Sequence, residues 1–136
     1  MSKVAVVYWS QTGNTEAMAN ALAEAAGADL LTVGEFSADK VNDYDAIAFG
    51  CPAMGAEVLE EDEFQPLWDE VKGNLAGKKV ALFGSYGWGG GEWMRNWEED
   101  AQASGVTLAA ESVIAENEPD DNAIAALKAL GETLAQ

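Results

Sequence analysis

The chain has no histidine, and with it go the commonest general base, the usual catalytic triads and most transition-metal sites. It has a single cysteine, Cys51, so no internal disulfide can form, which fits a reducing compartment. A lone cysteine of this kind reads as a small buried hydrophobe. Basic residues are scarce: 7 Lys and Arg face 24 Asp and Glu, for a net charge of −17. Binding to bare nucleic acid or to an anionic membrane is therefore not expected. No apolar run approaches the roughly 18 residues of a membrane span. The start Met1-Ser2-Lys3-Val4 has no charged region leading into an apolar signal segment. There is also no internal repeat, low-complexity tract or linker. The expectation is one soluble domain over residues 1–136, monomeric and cytoplasmic.

What is present is an alternation of strand and helix patterns. Nearly half the residues are apolar (49 %), enough for a real core. Lys3–Trp9 is a near-continuous β-branched and aromatic run, the pattern of a buried parallel strand. Asn14–Ala26 predicts a helix with Met18, Ala19, Leu22, Ala23 and Ala26 on one face and Gly27 as its stop. Further strands are predicted at Leu30–Val33, Ala46–Cys51, Lys79–Gly84 and within Val106–Ala115. Further helices are predicted at Phe64–Leu75, Glu92–Ser104 and Asn122–Ala135. The helix predicted at Phe64–Leu75 places Leu67, Trp68, Val71 and Leu75 inward. Strands alternating with helices call for an α/β fold, a parallel sheet in three layers with helices on both faces. Five strands give the order 2-1-3-4-5 in its simplest doubly wound form. Ligands of such sheets bind beyond the carboxyl ends of the strands, here at residues 9–15, 51–60 and 84–91.

The first of these loops is Trp9-Ser10-Gln11-Thr12-Gly13-Asn14-Thr15. Its hydroxyls and amide, a glycine for close approach, and the N–H groups of a following helix make a phosphate cradle. It has no lysine of the Walker type and no G-x-G-x-x-G spacing, which argues against phosphoryl transfer and against a dinucleotide. Neutral donors suit a terminal monophosphate that does not react. An ordinary helix cap is the plainer alternative, but six such residues in a row exceed what one cap needs. The second loop is Cys51-Pro52-Ala53-Met54-Gly55-Ala56-Glu57 and the third is Ser85-Tyr86-Gly87-Trp88-Gly89-Gly90-Gly91. Each sets one large polarisable side chain, Met54 or Trp88, among small residues, so that the pair can sandwich a flat ring. Either side chain taken alone reads as packing; the joint arrangement favours the ring.

These three stretches resemble the loops of flavodoxins. The first matches the S/T-x-T-G-N-T phosphate motif. Gly50-Cys51-Pro52-Ala53-Met54-Gly55 with Glu57-Val58-Leu59-Glu60, and Phe83-Gly84-Ser85-Tyr86-Gly87-Trp88-Gly89 with Glu92-Trp93-Met94, are similar to the flavin-stacking loops of short-chain, clostridial-type members. The resemblance spans essentially the whole chain and implies a flavodoxin-like fold and a non-covalently bound FMN. It implies that Ser10, Thr12, Gly13, Asn14 and Thr15 hold the phosphate, that Trp9 and Gln11 of the same loop contact the cofactor, and that Met54 and Trp88 flank the ring. Glu57 would accept from the ring N3 hydrogen, and Ser85, Tyr86, Gly87 and Gly89 would meet the polar edge through their backbones. Pro52, Ala53, Gly55, Ala56 and Asn117 complete the implied contacts. The Gly55–Ala56 peptide matches the one that flips to serve the semiquinone. Ala56 makes that flip harder than glycine would, by roughly 1 kcal/mol. Pro52 stands where some relatives have a phosphate-binding serine.

The implied function is a low-potential one-electron carrier shuttling between semiquinone and hydroquinone, and not an enzyme. Glu57, Glu60, Glu61, Asp62, Glu63, Glu92, Glu116, Glu118 and Asp120 would hold the potential down by opposing the anionic reduced state. The same charge suits brief docking on redox proteins with basic surfaces. A signalling receiver domain would need acids where Ser10 and Cys51 stand, and a cysteine phosphatase would need an arginine where Glu57 stands. An FMN-dependent quinone reductase would need a substrate pocket against the flavin, whereas Met54 and Trp88 would cover both faces. A flavodoxin-like activator of a metalloenzyme is a further reading.

Overall fold

A computed structural model describes residues 3–11, 13–54, 58–87 and 90–136. Five strands form one sheet: β1 (Val4–Tyr8), β2 (Asp29–Thr32), β3 (Ala46–Gly50), β4 (Lys79–Tyr86) and β5 (Val113–Glu116). Their order is β2-β1-β3-β4-β5 and every pairing is parallel, as the strand–helix alternation predicts. The helices are α1 (Asn14–Ala26), α2 (Phe64–Val71), α3 (Glu92–Ala103) and α4 (Asp121–Ala135).

All five residues of β1 and of β3 are buried, because both faces of the central strands are covered. On one face Val7, Ile47, Phe49 and Leu82 pack under α2 and α3. There Phe49, Trp68, Trp97 and Phe64 meet edge to face, with centroids 5.3–5.7 Å apart. On the other face Val6, Ala48, Ala81 and Phe83 pack under α1 and α4. Small residues on that face let the two helices sit close to the sheet and to each other. Burying each large apolar side chain stabilises the fold by about 1.5–3 kcal/mol relative to exposure.

α1 has its expected bounds: the five predicted inner residues are buried and Gly27 closes it. α2 is shorter than expected, giving way to a 3-10 turn at Lys72–Asn74, and its inner residues Leu67, Trp68, Val71 and Leu75 are buried. α4 starts one residue early because the Asp120 side chain accepts the Ala123 N–H at 2.8 Å. Two 3-10 turns, Val33–Glu35 and Ala38–Asp43, fill the unassigned stretch before β3 and carry Val33 and Val41 into the core.

Two strands differ from expectation where the site lies. β4 runs two residues past Gly84, because Ser85 and Tyr86 pair with Ala115 and Glu116. The expected third loop thus begins at Gly87. β5 covers only the end of the predicted span and reaches Glu116. Among the described residues its one neighbour is β4, and the register places Val113 opposite Phe83. Upstream, Leu108 makes only an isolated bridge to Val80.

Candidate functional site

The site is built at the carboxyl ends of the strands. β1 and β3 stay paired to their ends, and the Trp9 N–H continues the ladder to the Gly50 carbonyl at 3.0 Å. The chain then turns through Gly13, whose φ of 96° is a left-handed conformation that a side chain would strain. The Ser10 hydroxyl oxygen accepts the N–H groups of Gly13 (3.1 Å) and Glu16 (3.3 Å). Both of its acceptor positions are used inward, which leaves its own O–H to donate outward. Among the described residues, the N–H groups of Asn14 and Thr15 at the start of α1 have no acceptor. A helix start with open N–H groups favours an anion.

The neighbouring loops are tied to this one through Ser85. Its hydroxyl bonds the Thr15 hydroxyl at 2.8 Å, and both residues are buried. Its carbonyl accepts the Ala53 N–H at 3.0 Å. Gly84 permits this approach of β3 and β4: a Cβ there would lie 2.1 Å from the Cys51 carbonyl oxygen. Asn117 follows β5 at φ 57° and donates its N–H to the Tyr86 carbonyl at 2.6 Å. A non-glycine residue held in that region is backbone strain kept at a ligand-facing turn.

One cavity of about 140 Å³ results. Ser10, Gln11, Asn14 and Thr15 line it from the first loop, Pro52 and Ala53 from the second. Ser85, Tyr86, Gly87 and Asn117 complete it. All ten are residues singled out in the sequence. Trp9 and Gly13 line an adjacent hollow of about 380 Å³ instead, and the Trp9 indole N–H donates to Glu63 at 3.2 Å. Met54 forms an antiparallel bridge with Val58, its N–H donating at 2.9 Å. Thr12, Gly55, Ala56, Glu57, Trp88 and Gly89 lie outside the described residues.

The donor set fits a phosphate-bearing cofactor. Hydroxyls and open amides converge with a helix start, and no Lys or Arg lines the cavity. Neutral donors of this kind hold a phosphate without activating it for transfer.

The sequence did not single out Glu60 as a structural residue. It is buried, at 6 % exposed. Its carboxylate accepts the N–H groups of Asp62 (2.9 Å), Glu63 (2.8 Å) and Phe64 (2.8 Å) at the start of α2. Its own N–H approaches the Cys51 sulfur at 3.4 Å. In the sequence it was one acid among several, and the only signal was its place just ahead of an apolar helix pattern. Cys51 is fully buried, and burial pushes its thiol up to about 12. That fits the structural reading and removes thiolate chemistry at neutral pH. Tyr8, at the rim, is also raised, first by burial and then by its bond to Glu16. Among the described residues no acidic or sulfur cluster is arranged to hold a metal. No helix there is long and apolar enough to cross a membrane.

The family model for flavodoxin matches residues 6–129. The chain is 47 % identical to the flavodoxin of Megasphaera elsdenii over 98 % of both chains. It is 47 % identical to that of Clostridium beijerinckii over 85 % of this chain and 88 % of the relative. Its fold is similar to the solution structure of the two-electron reduced Megasphaera elsdenii flavodoxin. There the TM-score is 0.88, with 43 % identity, over 97 % of this chain and 98 % of that one.

Proposed function

The chain belongs to the flavodoxin family, and from that premise we propose how its own residues serve an FMN-dependent electron carrier. It is an electron-transfer protein and not a catalyst with a substrate of its own. FMN, when bound, supplies the one-electron chemistry. The chain supplies the cradle, the ring environment and the field.

Ser10, Thr12, Asn14 and Thr15 hold the phosphate with the first N–H groups of α1, and Gly13 shapes the turn. The observation that carries this is the open Asn14 and Thr15 amides beside a Ser10 hydroxyl whose acceptor sites are already filled. Met54 and Trp88 cover the ring faces. Glu57 accepts a ring N–H, and the backbones of Ser85, Tyr86, Gly87 and Gly89 meet the polar edge with Asn117 beside them. Glu61, Asp62 and Glu63 oppose added negative charge and keep the potential of the last electron low. The acidic surface docks, in a monomer working in the cytoplasm, on the basic surfaces of redox partners, and not on nucleic acid or membrane.

The test compares FMN and riboflavin binding to apoprotein by fluorescence quenching. Ser10→Ala removes the acceptor of two loop amides and should weaken FMN at least tenfold, about 1.4 kcal/mol, and riboflavin less than twofold. Equal losses for both ligands would remove Ser10 from the phosphate site. An apoprotein that takes up no FMN would overturn the whole reading.

A further inference from the structure

Among the described residues β5 is an edge strand, with β4 on one side and no strand on the other. The Asn117 N–H donates toward β4, and Ala115 lies opposite Ser85. Backbone groups alternate sides along a strand, so Val113 and Ala115 also turn theirs to β4, and Ile114 and Glu116 turn theirs outward. Among the described residues no group takes up the outward N–H and C=O groups of Ile114 and Glu116. Such an edge is a template for another chain unless shortness, charged side chains, proline, a bulge or a covering segment blunts it; β5 is four residues long and its charged side chain, Glu116, is a carboxylate, which turns away acidic chains and admits a basic one. Neither lysine nor proline occurs between Ala110 and Glu116, and Ile114 is 38 % exposed within the strand.

A groove of about 810 Å³ runs along this edge, between β5 and a stripe of α4 that includes Ala123, Ala126 and Leu130. Glu111, Glu116, Glu118 and Asp120 stand along it, and no Lys or Arg lines it. We propose that the β5 edge and this groove receive an extended, lysine- or arginine-bearing segment of a partner protein, which adds a sixth strand beside β5. In this mode of recognition main-chain hydrogen bonds supply affinity, and alternate side chains read the pocket and rim. The carboxylates select a basic segment. A second copy of this chain, carrying −17 itself, would bring one acidic rim against another. Tyr86 lines both this groove and the cofactor-loop cavity, so the added strand lies against the loops of the redox site. The inference does not depend on which residues hold the FMN.

The experiment uses ¹⁵N-labelled, FMN-loaded protein at about 0.1 M salt and the peptide acetyl-Lys-Val-Lys-Val-Lys-Val-amide. The control is the same peptide N-methylated at its four central residues, with charge and side chains unchanged. The unmethylated peptide should bind at least tenfold tighter and slow hydrogen exchange at the Ile114 and Glu116 amides, with no change along β2. Ile114→Pro, which removes an outward N–H that an edge strand does not use, should weaken binding at least tenfold and leave the flavin spectrum unchanged. If that variant fails to load FMN, the exposed pair Glu111→Lys and Glu118→Lys should give the same loss. Equal binding of the two peptides would show charge attraction alone and overturn the proposal. Protection at other amides, or a concentration-dependent dimer abolished by Ile114→Pro, would overturn it as well.

Discussion

Replacing Glu60 with alanine should destabilise the protein by about 3 kcal/mol, more than removal of an ordinary surface cap. The start of α2 depends on this one side chain. Its carboxylate takes the N–H groups of Asp62, Glu63 and Phe64, and its backbone carbonyl takes that of Gln65 at 2.8 Å. Pro66, the next residue, has no N–H to satisfy. Alanine leaves the carbonyl bond and removes the other three. Water reaches the partly buried Asp62 and Glu63 amides, so their loss resembles that of a helix cap, about 0.5–2 kcal/mol. The Phe64 amide is buried, and an unsatisfied buried donor costs about 1–3 kcal/mol. For 136 residues the unfolding entropy is about 0.29 kcal/mol/K, so 3 kcal/mol lowers Tm by about 10 °C. Glu60→Gln keeps one acceptor oxygen without its charge and should lose about half as much. Thermal melts of apoprotein followed by far-UV circular dichroism give both numbers. If Glu60→Ala melted within 3 °C of the parent, the three hydrogen bonds would not be holding α2.

Glu61→Gln should raise the reduction potential of the second electron; if the separation were about 10 Å, one charge at an effective dielectric near 20 would oppose that electron by about 1.7 kcal/mol, or roughly 70 mV, before salt screening. A redox titration that finds no change would sink this electrostatic account. Native Cys51 should resist iodoacetamide at pH 8 and react only on unfolding, given its burial and its thiol raised to about 12; rapid stoichiometric labelling would contradict it. Tyr44 is raised to about 12, first by burial and then by its 2.7 Å bond to Asp29. The phenol ionises more readily unfolded, near pH 10, so its contribution is complete below that and is lost as pH rises toward 12. Tyr44→Phe should flatten the fall in urea midpoint over that window, and an unaltered slope would count against it.

The sheet was legible because its central strands are buried on both faces and so read as unbroken apolar runs. Val4–Tyr8 and Ala46–Gly50 needed only that pattern. α1 was legible to the residue because its buried stripe and Gly27 agree. β5 was not, since an edge strand of four residues is placed by its register with β4 and only Ala115 within it is buried. The 3-10 turns before β3 have no period that a sequence displays. Ser10, Asn14 and Thr15 were legible because small polar residues gather just after β1, and Gly87 because a glycine run follows β4. Glu60 was not, because its sequence neighbours Glu61, Asp62 and Glu63 are equally acidic, and only the folded chain shows which carboxylate turns inward.

That separation changes how the acidic run contributes to function. In the sequence, residues 60–63 formed one block of charge beside the site. In the fold Glu60 is occupied by three amides, and Glu63 receives the Trp9 indole N–H from the first loop. The block therefore also ties the start of α2 to the first and second loops, through Glu63 to Trp9 and through the Glu60 N–H to Cys51. Ser85 does the corresponding work at the centre: it holds Thr15 of the first loop by its hydroxyl and Ala53 of the second by its carbonyl. The cradle is consequently fixed by strand ends that the core already orders. Donors arranged in advance reduce the ordering that binding would otherwise require. On that reasoning Ser85→Ala, which removes only the hydroxyl bond to Thr15, should weaken FMN binding by loosening the start of α1, while the bond from the Ala53 N–H to the Ser85 carbonyl persists.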